Sequence, residues 1–258
     1  MVFAADAVAV TFPDEAVRTH APAVILLFVA NTVGFLIHGC LAEFEDALSL
    51  VLDDIEQGKA KLVLLGDYIH GGPDNRGVLD RIMKLRERFG SDRIIALLGN
   101  HDEWVVNGSS TISNNSVYAR IEEWEDESDD DEYINWLSSL PLYYVEGNTI
   151  FVHAGIDEEA GDMWEWETSE DVFTSKYPAE TGKIEGLDMK VVAGHVGTAE
   201  ISGDKFFHDI YFDGESHYYI DGTVLDSRVI PILMVDTEND KYYQVTDSGK
   251  RLIEPYEE

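Results

Sequence analysis

The stretch IALLGNHDE at residues 95–103 passes from an apolar run to a cluster of polar side chains with almost no transition. A short apolar run that ends at glycine is typical of a buried β-strand. The side chains that follow it, Asn100, His101 and Asp102, offer an amide, an imidazole and a carboxylate. The stretch therefore predicts a core strand that carries chemically active groups at its carboxyl end.

Three other segments repeat this arrangement of an apolar run followed by a side chain that can bind a metal ion. One such segment would be weak evidence, because apolar strands that end in glycine are common in α/β proteins. Four of them in order predict a shared site at the ends of neighbouring strands. The three segments are KLVLLGD at 61–67, TIFVHAG at 149–155 and MKVVAGH at 189–195.

The four segments together supply a specific set of donor atoms. Asp67 and Asn100 offer oxygen donors, whereas His153 and His195 offer imidazole nitrogens. This mixture suits Mn, Fe or Zn in a reactive site rather than a structural zinc bound by thiolates. We therefore expect one or two divalent metal ions per chain.

In order and spacing, these blocks resemble the calcineurin-like metallophosphoesterases, especially the bacterial branch related to serine/threonine phosphoprotein phosphatases and symmetrical diadenosine tetraphosphatases. The resemblance extends from about Gly34 to about Tyr243. It implies an α/β fold of four layers, in which two mixed β-sheets are flanked by helices and metals lie at the strand ends. The matching blocks are IHGCL at 37–41, GDYIHGGPDNRGVLDRI at 66–82, GNHDE at 99–103, HAG at 153–155 and GH at 194–195.

The resemblance also implies a role for each matching residue. Asp67 matches the carboxylate that bridges two metal ions, and His38 matches the histidine beside one of them. His101 matches the histidine that protonates the leaving-group oxygen. Asn100 matches a residue that binds both metal and substrate, and together with His153 and His195 it completes the ligands of the other ion.

The implied reaction is the hydrolysis of phosphate monoesters by metal-activated water, most like that of a serine/threonine protein phosphatase. A phosphorylated protein or a small phosphate ester would be the substrate. Two cations about 3.5–4 Å apart can bind the phosphate oxygens and stabilise an in-line displacement. Diadenosine tetraphosphatase or another nucleotide phosphohydrolase activity is the alternative.

The chain departs from the family pattern at its reactive positions. Leu36 stands where the first block normally has an aspartate ligand, so Asn31, a water or another side chain would have to substitute for it. His70 replaces the aspartate that orients the catalytic histidine, and we expect it to lie beside His101 in a catalytic role. Gly71 replaces the arginine that clamps phosphate, and Arg76 is the candidate replacement as a substrate-binding residue.

These departures support a competing hypothesis from another class of protein. A degenerate phosphoesterase would bind one metal ion or a phosphorylated partner with weak turnover or none. Leu36 and Gly71 favour this alternative. The retained Asn100, His101 and His153 favour activity instead.

Composition limits the partners and the location of the chain. Its 258 residues carry 51 acidic and 18 basic side chains, for a net charge of −33, which argues against nucleic acid or an anionic membrane as partner. The apolar stretch at 22–37 is shorter than the roughly 20 residues that span a bilayer. The N-terminus lacks the basic segment with which a signal peptide begins, so we expect a cytoplasmic protein. The one cysteine, Cys40, is predicted to be a buried thiol.

Strand and helix patterns alternate between the blocks, and the sequence predicts a single domain over residues 1–258. Helices are expected at 41–58 and 75–90, and a cap insertion at about 104–148. The C-terminal segment 206–245 is predicted to form antiparallel strands that complete the second sheet. Three tryptophans in the cap region, Trp104, Trp124 and Trp136, are expected to pack the cap rather than to stack on a substrate base.

Overall fold

The structure, a computed structural model, describes residues 28–31, 37–113 and 130–257, with only the backbone described for 28–31. Its strands form two sheets. In chain order they are β1 (Phe28–Asn31), β2 (Ala60–Leu64), β3 (Ile94–Ala96), β4 (Tyr143–Glu146), β5 (Thr149–Val152), β6 (Lys190–Gly197), β7 (Tyr211–Phe212), β8 (His217–Asp221), β9 (Ile232–Asp236), β10 (Lys241–Thr246) and β11 (Gly249–Leu252).

Short helices connect these strands. The described helices are α1 (Leu41–Ser49), α2 (Leu52–Glu56), α3 (Asn75–Phe89), α4 (Asn100–Val106), α5 (Asp130–Leu137), α6 (Trp164–Glu167), α7 (Glu170–Ser175), α8 (Thr198–Ser202) and α9 (Val224–Ser227), with a 3₁₀ helix at Glu158–Met163. None of the helices in these described ranges is long and apolar enough to cross a membrane.

Both sheets are mixed. The first has the order β11-β10-β9-β1-β2-β3, in which β1, β2 and β3 are parallel and the other neighbours are antiparallel. The second has the order β4-β5-β6-β8-β7, in which β5, β6 and β8 are parallel. The predicted α/β fold with two mixed sheets is confirmed.

Successive side chains along a strand of the second sheet pack into two different apolar layers, one on each face of the sheet. Phe151 and Val192 belong to the cluster that contains the first sheet and the helices α1 and α3. Their neighbours Ile150 and Val152 instead pack with Trp164 on the other side. This alternation is what a strand buried on both faces requires, because successive side chains point in opposite directions. The resulting layers agree with the predicted four-layer sandwich.

The predicted helices occur with one difference. The helix expected at 41–58 is divided into α1 and α2, because the amides of Leu50 and Val51 bond three residues back, to Ala47 and Leu48. The helix expected at 75–90 is α3. The carboxylate of Asp74 caps it by accepting a hydrogen bond from the Gly77 amide at 2.9 Å.

The C-terminal prediction was only partly right. β7 and β8 complete the second sheet, but β8 runs parallel to β6. β9, β10 and β11 join the first sheet instead, where β9 pairs with β1. Alternating apolar and polar residues fix the strand type but do not fix the sheet that a strand joins, because a hairpin can pair with either open edge.

The region predicted as a cap, 104–148, is divided among several elements. Its first residues complete α4, and its last ones form β4, which pairs with β5 in the second sheet. Between these two elements lies α5, which packs against α4. Trp124 and the rest of 114–129 lie outside the described residues. A cap over the middle of this region therefore stays a prediction.

A buried ion-pair network holds the outer layer of the second sheet. His217 Nδ1 lies 2.9 Å from Asp213, and its Nε2 lies 3.4 Å from Glu158. Lys176 also pairs with Glu158 and, at 2.5 Å, with Glu180. Burial alone would lower the pKa of His217, but the hydrogen bond with Asp213 and the nearby carboxylate of Glu158 raise it. Burial alone would raise the pKa of Glu158, but its hydrogen-bonded neighbours lower it to about 2.

This network predicts a pH-dependent contribution to stability. The contribution of His217 is complete below its ordinary pKa of 6.5 and is lost as pH rises through the raised value. The contribution of Glu158 is present above 4.5 and is lost as pH falls toward 2. We expect His217→Gln to lower the free energy of unfolding most between about pH 5 and 6.5, and less at pH 9. Urea unfolding of both proteins at each pH measures this difference, and a difference independent of pH would contradict the assignment.

Candidate metal centre and active site

The site lies where the loops after β2 and β3 touch each other through their backbones. A Cβ atom on Gly66 would lie 2.4 Å from the Gly99 amide nitrogen, and a Cβ on Gly99 would lie 2.3 Å from the Asp67 nitrogen. Gly66 also has φ of +102°, which side chains rarely tolerate. Glycine at both positions thus allows the two loops to approach closely. The residues that follow the two glycines, Asp67 and Asn100, can therefore approach one another.

Asp102 fastens these two loops together, a role that the sequence interpretation missed. Its carboxylate is fully buried and accepts hydrogen bonds from the amides of Asp67 at 2.7 Å, Tyr68 at 3.0 Å and Gly99 at 3.1 Å. Burial raises its pKa to about 7, although the backbone donors act in the opposite direction. The sequence signal was the Asp that directly follows Asn100 and His101 at a helix start, where carboxylates accept backbone hydrogen bonds.

Four predicted ligands come together and are called here the Asn100 cluster: Asp67, Asn100, His153 and His195. Ligand atoms of Asp67, His153 and His195 all lie within 4.8 Å of one another. His153 Nδ1 lies 2.8 Å from the carbonyl oxygen of Leu65, which fixes the ring and leaves Nε2 directed at the cluster. Asp67, Asn100 and His153 follow parallel strands, whereas His195 lies near the carboxyl end of the parallel strand β6.

The atoms around the side-chain amide of Asn100 indicate whether this cluster fits a cation. Its Oδ1 position lies 3.1 Å from His153 Nε2, 3.3 Å from His195 Nδ1, and 3.3 and 3.1 Å from the two Asp67 oxygens. An oxygen at this position faces only hydrogen-bond acceptors. Either the amide is rotated so that its nitrogen takes this position, or a cation lies between the oxygen and the surrounding acceptors. Oxygen and imidazole donors that converge in this way match the ligand preferences of Mn, Fe and Zn. The Asn100 cluster therefore fits a divalent metal ion.

The charge states of the cluster agree with this fit. Burial lowers the pKa of His153 and of His195, so both rings are neutral and able to ligate. Asp67 is fully buried, and no lysine or arginine in the described ranges pairs with it. Burial and the nearby Asp102 and Asp221 raise the pKa of Asp67. A cation would stabilise the charged form of this carboxylate, which burial otherwise disfavours.

A second group shares Asp67 and is called here the His38 cluster: His38, Asp67 and His101. Its ligand atoms also lie within 4.8 Å of one another. His38 Nδ1 lies 3.2 Å from the Ile69 carbonyl oxygen, which leaves Nε2 for the cluster. Leu36 and the side chain of Asn31 lie outside the described residues. The shared carboxylate places two potential cation sites side by side.

His101 is held by ring contacts rather than by a hydrogen-bonded carboxylate. His70 stacks on it at 4.2 Å between ring centroids, with 10° between the planes, and Trp104 meets it at 4.4 Å and 75°. Within the described residues, the buried Nδ1 of His101 has no hydrogen-bond partner. Burial and the neighbouring histidines lower its pKa to about 3. His70 therefore lies beside His101 as expected, but in a stack and not in a hydrogen bond.

The backbone is strained at most of these positions. Positive φ angles occur at His38 (40°), Asp67 (54°), His70 (85°) and His195 (64°). Such angles are uncommon for residues other than glycine and persist only where the surrounding structure enforces them. Their concentration in both clusters indicates that the fold gives up local stability to aim these side chains.

Two positions concern phosphate binding, Arg76 and Gly71. Arg76 forms an ion pair at 2.6 Å with Asp130 of α5. At Gly71, φ is +91°, and a Cβ would lie 2.8 Å from Leu225. Leu225 therefore covers the position from which an arginine side chain would start. Substrate binding by Arg76 stays a prediction.

A comparison of the whole chain with known families decides its membership. The sequence profile described as calcineurin-like phosphoesterase matches residues 37–230. The chain belongs to the calcineurin-like phosphoesterase family. Divalent metal ions and hydrolysis of phosphate esters are what this membership implies, as the sequence predicted. Both clusters lie inside the matched range.

Curated relatives match about half of the chain. The symmetrical bis(5'-nucleosyl)-tetraphosphatase of Nitrosospira multiformis is 37% identical over 123 residues, which cover 46% of this chain and 41% of the relative. The enzyme of the same name from Edwardsiella ictaluri is 34% identical over 125 residues, 48% of this chain and 42% of the relative. The matches thus span less than half the length of these relatives.

Solved structures share the fold at low sequence identity. A cold-active protein-tyrosine phosphatase of a psychrophilic Shewanella has a TM-score of 0.63 at 15% identity, with 89% of this chain and 81% of that chain covered. A putative diadenosine tetraphosphatase has a TM-score of 0.54 at 22% identity, with 86% and 94% covered. Identities this low establish the shared fold alone.

Proposed function

We propose that this protein is a metal-dependent phosphatase that hydrolyses phosphate monoesters. The observation that carries the proposal is the pair of side-chain clusters that share Asp67 and could each hold a cation, one of which includes His101. Bound divalent cations would neutralise the phosphate and activate water for in-line attack. Manganese, iron and zinc all suit the donor set.

The residues of the chain have distinct tasks in this proposal. Asp67, Asn100, His153 and His195 would hold the more tightly bound ion, because this cluster has four donors. His38 and Asp67 would hold the other ion more weakly. Asn100 would also bind the substrate, and His101 would donate a proton to the leaving-group oxygen, since its Nε2 lies 3.9 Å from Asp67. The dianionic phosphate would favour the protonated ring.

Hydrolysis of dinucleoside tetraphosphates is the second candidate, because the relatives with 37% and 34% identity carry that name. A degenerate site that binds metal without turnover is the third, favoured by Gly71 and Leu36. Phosphorylated proteins and small phosphate esters would be the substrates of the first candidate. We also propose cytoplasmic residence, which fits the sequence pattern.

Metal-stripped protein supplied with Mn²⁺ and p-nitrophenyl phosphate tests the proposal. Turnover that depends on added metal would support a monoesterase, and a parallel assay with diadenosine tetraphosphate would reveal the second activity. Zn²⁺ and Fe²⁺ serve as alternative metals. Bound metal without turnover of either substrate would reject both enzymatic candidates in favour of the degenerate site.

Two histidine substitutions should separate metal binding from proton donation. His153→Ala removes a donor of the Asn100 cluster, so we expect metal affinity to fall by at least about 100-fold. His101→Ala should keep the ion of the Asn100 cluster and slow turnover by about 10²–10⁴-fold. Elemental analysis after gel filtration measures the metal, and circular dichroism checks the fold. Full activity of His101→Ala would contradict its role as proton donor.

A further inference from the structure

Trp104 occupies an unusual place for a large apolar side chain. Its side chain is 43% exposed, and its ring meets that of His101 at 4.4 Å. It lies four residues after Asn100 and three after His101 on α4, so the helix brings all three to one side. Its backbone carbonyl accepts hydrogen bonds from the Ser109 and Ser110 amides, which fix the end of this helix.

Packing of the core does not account for this tryptophan. Trp104 belongs to neither of the two apolar clusters of the described residues, and its packing of the cap stays a prediction. Trp136 does pack, with its ring 5.8 Å from that of Tyr68, and Trp164 is buried in the outer layer. An exposed aromatic ring that contacts a reactive histidine is a ready contact surface for a ligand.

The order of groups identifies the part of the substrate that would meet Trp104. Asp67 belongs to both candidate cation clusters, His101 Nε2 lies 3.9 Å from it, and the ring of Trp104 contacts the ring of His101. The phosphoryl group would sit at the cations, and the leaving-group oxygen within about 2.6–3.2 Å of His101. Trp104 would therefore border the leaving group.

We propose that Trp104 is a specificity-determining residue that contacts the leaving group and favours aryl phosphate monoesters, such as phosphotyrosine, over alkyl ones such as phosphoserine. This inference rests on the proposed phosphatase function. It departs from the serine/threonine preference that the family resemblance implied. In an aryl ester, the ring is bonded directly to the leaving oxygen, so it lies within the roughly 4.5–7 Å at which aromatic rings interact. A nucleobase would lie a whole ribose farther away.

The setting of His101 agrees with this selectivity. Its Nδ1 has no hydrogen-bond partner in the described part of the chain, and His70 and Trp104 position the ring by contact alone. A phenol, with a pKa of about 10 as in tyrosine, leaves with less help from a proton donor than an aliphatic alcohol does. The oxygen of water bonds to phosphorus as the bond from phosphorus to the aryl oxygen breaks. The aryl oxygen takes up the proton of His101, a proton from the attacking water restores that ring, and the products are one phenol and one inorganic phosphate.

The test compares two lysine-flanked peptides that differ only in phosphotyrosine or phosphoserine. We expect the metal-loaded wild type to prefer phosphotyrosine in kcat/KM. Trp104→Ala should reduce that preference about three- to tenfold, and Trp104→Phe should restore most of it. Trp166→Ala is the matched control, because Trp166 is 79% exposed and contacts none of the site histidines in the described structure. That control should leave the preference unchanged.

Binding without turnover separates the two proposals. We expect phenylphosphonate to inhibit or bind more tightly than methylphosphonate, and Trp104→Ala to remove most of that difference. Equal handling of both peptides, or equal losses on both after Trp104→Ala, would overturn the role of Trp104 while the phosphatase function stands. Metal-loaded protein that turns over neither peptide nor p-nitrophenyl phosphate would overturn the phosphatase function, and the inference with it.

Discussion

Asp67→Asn is expected to abolish metal-dependent turnover and, at the same time, to stabilise the metal-free protein. The carboxylate is shared by both cation clusters, so its loss weakens both sites at once. Because the cations supply several kcal/mol of transition-state stabilisation, we expect turnover to fall by about 10²–10³-fold or more. Steady-state assays with p-nitrophenyl phosphate over a range of Mn²⁺ concentrations measure this loss.

The gain in stability follows from the burial of the same group. Without a cation, the Asp67 charge is fully buried near Asp102 and Asp221 and has only histidines as partners. Asparagine has the same shape, keeps the oxygen that accepts from the His101 amide, and removes the charge. We expect the metal-free variant to be more stable by about 1–3 kcal/mol in urea unfolding.

The response to metal then provides the control. Adding Mn²⁺ should stabilise the wild type by mass action and should leave Asp67→Asn nearly unaffected. A variant that is less stable than the wild type without metal would show that Asp67 acts as a structural anchor instead. Equal metal-induced stabilisation of both proteins would remove Asp67 from the ligand set.

Asp102→Ala is expected to destabilise the protein more than any other single substitution in the site that removes no ligand. The change leaves the buried amides of Asp67, Tyr68 and Gly99 without their acceptor. An unsatisfied buried donor costs about 1–3 kcal/mol, so three of them should lower the free energy of unfolding by about 3–9 kcal/mol. Urea unfolding of the metal-free protein measures this change.

Loss of Asp102 should also disturb the metal site, although Asp102 is not one of the predicted ligands. The loops that carry Asp67 and Asn100 touch through Gly66 and Gly99, and Asp102 fixes their register. We expect weaker metal binding by isothermal titration wherever the variant still folds. Asp46→Ala, an exposed change on α1, is the matched control and should change stability by no more than about 0.5 kcal/mol. Stability equal to that of the control would show that the two loops hold together without Asp102.

Much of the site could be predicted because it follows from strand order. Asp67, Asn100, His153 and His195 each follow an apolar run that forms a parallel strand. Carboxyl ends of parallel neighbours lie at the same edge of a sheet, so local pattern pairs Asp67 with Asn100 in the first sheet and His153 with His195 in the second. The packing of the two sheets then brings both pairs to one place. The resemblance to the calcineurin-like metallophosphoesterases, which share these blocks, supplied the predicted role of each residue.

Other features depend on contacts between residues far apart in the chain. Trp104 looked like a packing residue, and only the folded chain leaves it exposed beside His101. The stack of His70 on His101 and the bonds from Asp102 to the β2 loop join residues about 30 positions apart.

The sequence by itself determined the apolar strands that precede the donor side chains, the helix α3 and the donor side chains themselves, because apolar periodicity and glycine act over a few residues. Tertiary structure alone decided that β9, β10 and β11 join the first sheet, that Asp102 links two loops, and that Arg76 pairs with Asp130. The physical reason is that these choices depend on which surfaces meet after the two sheets pack, and the free energy of that packing is not encoded in any short stretch of the chain.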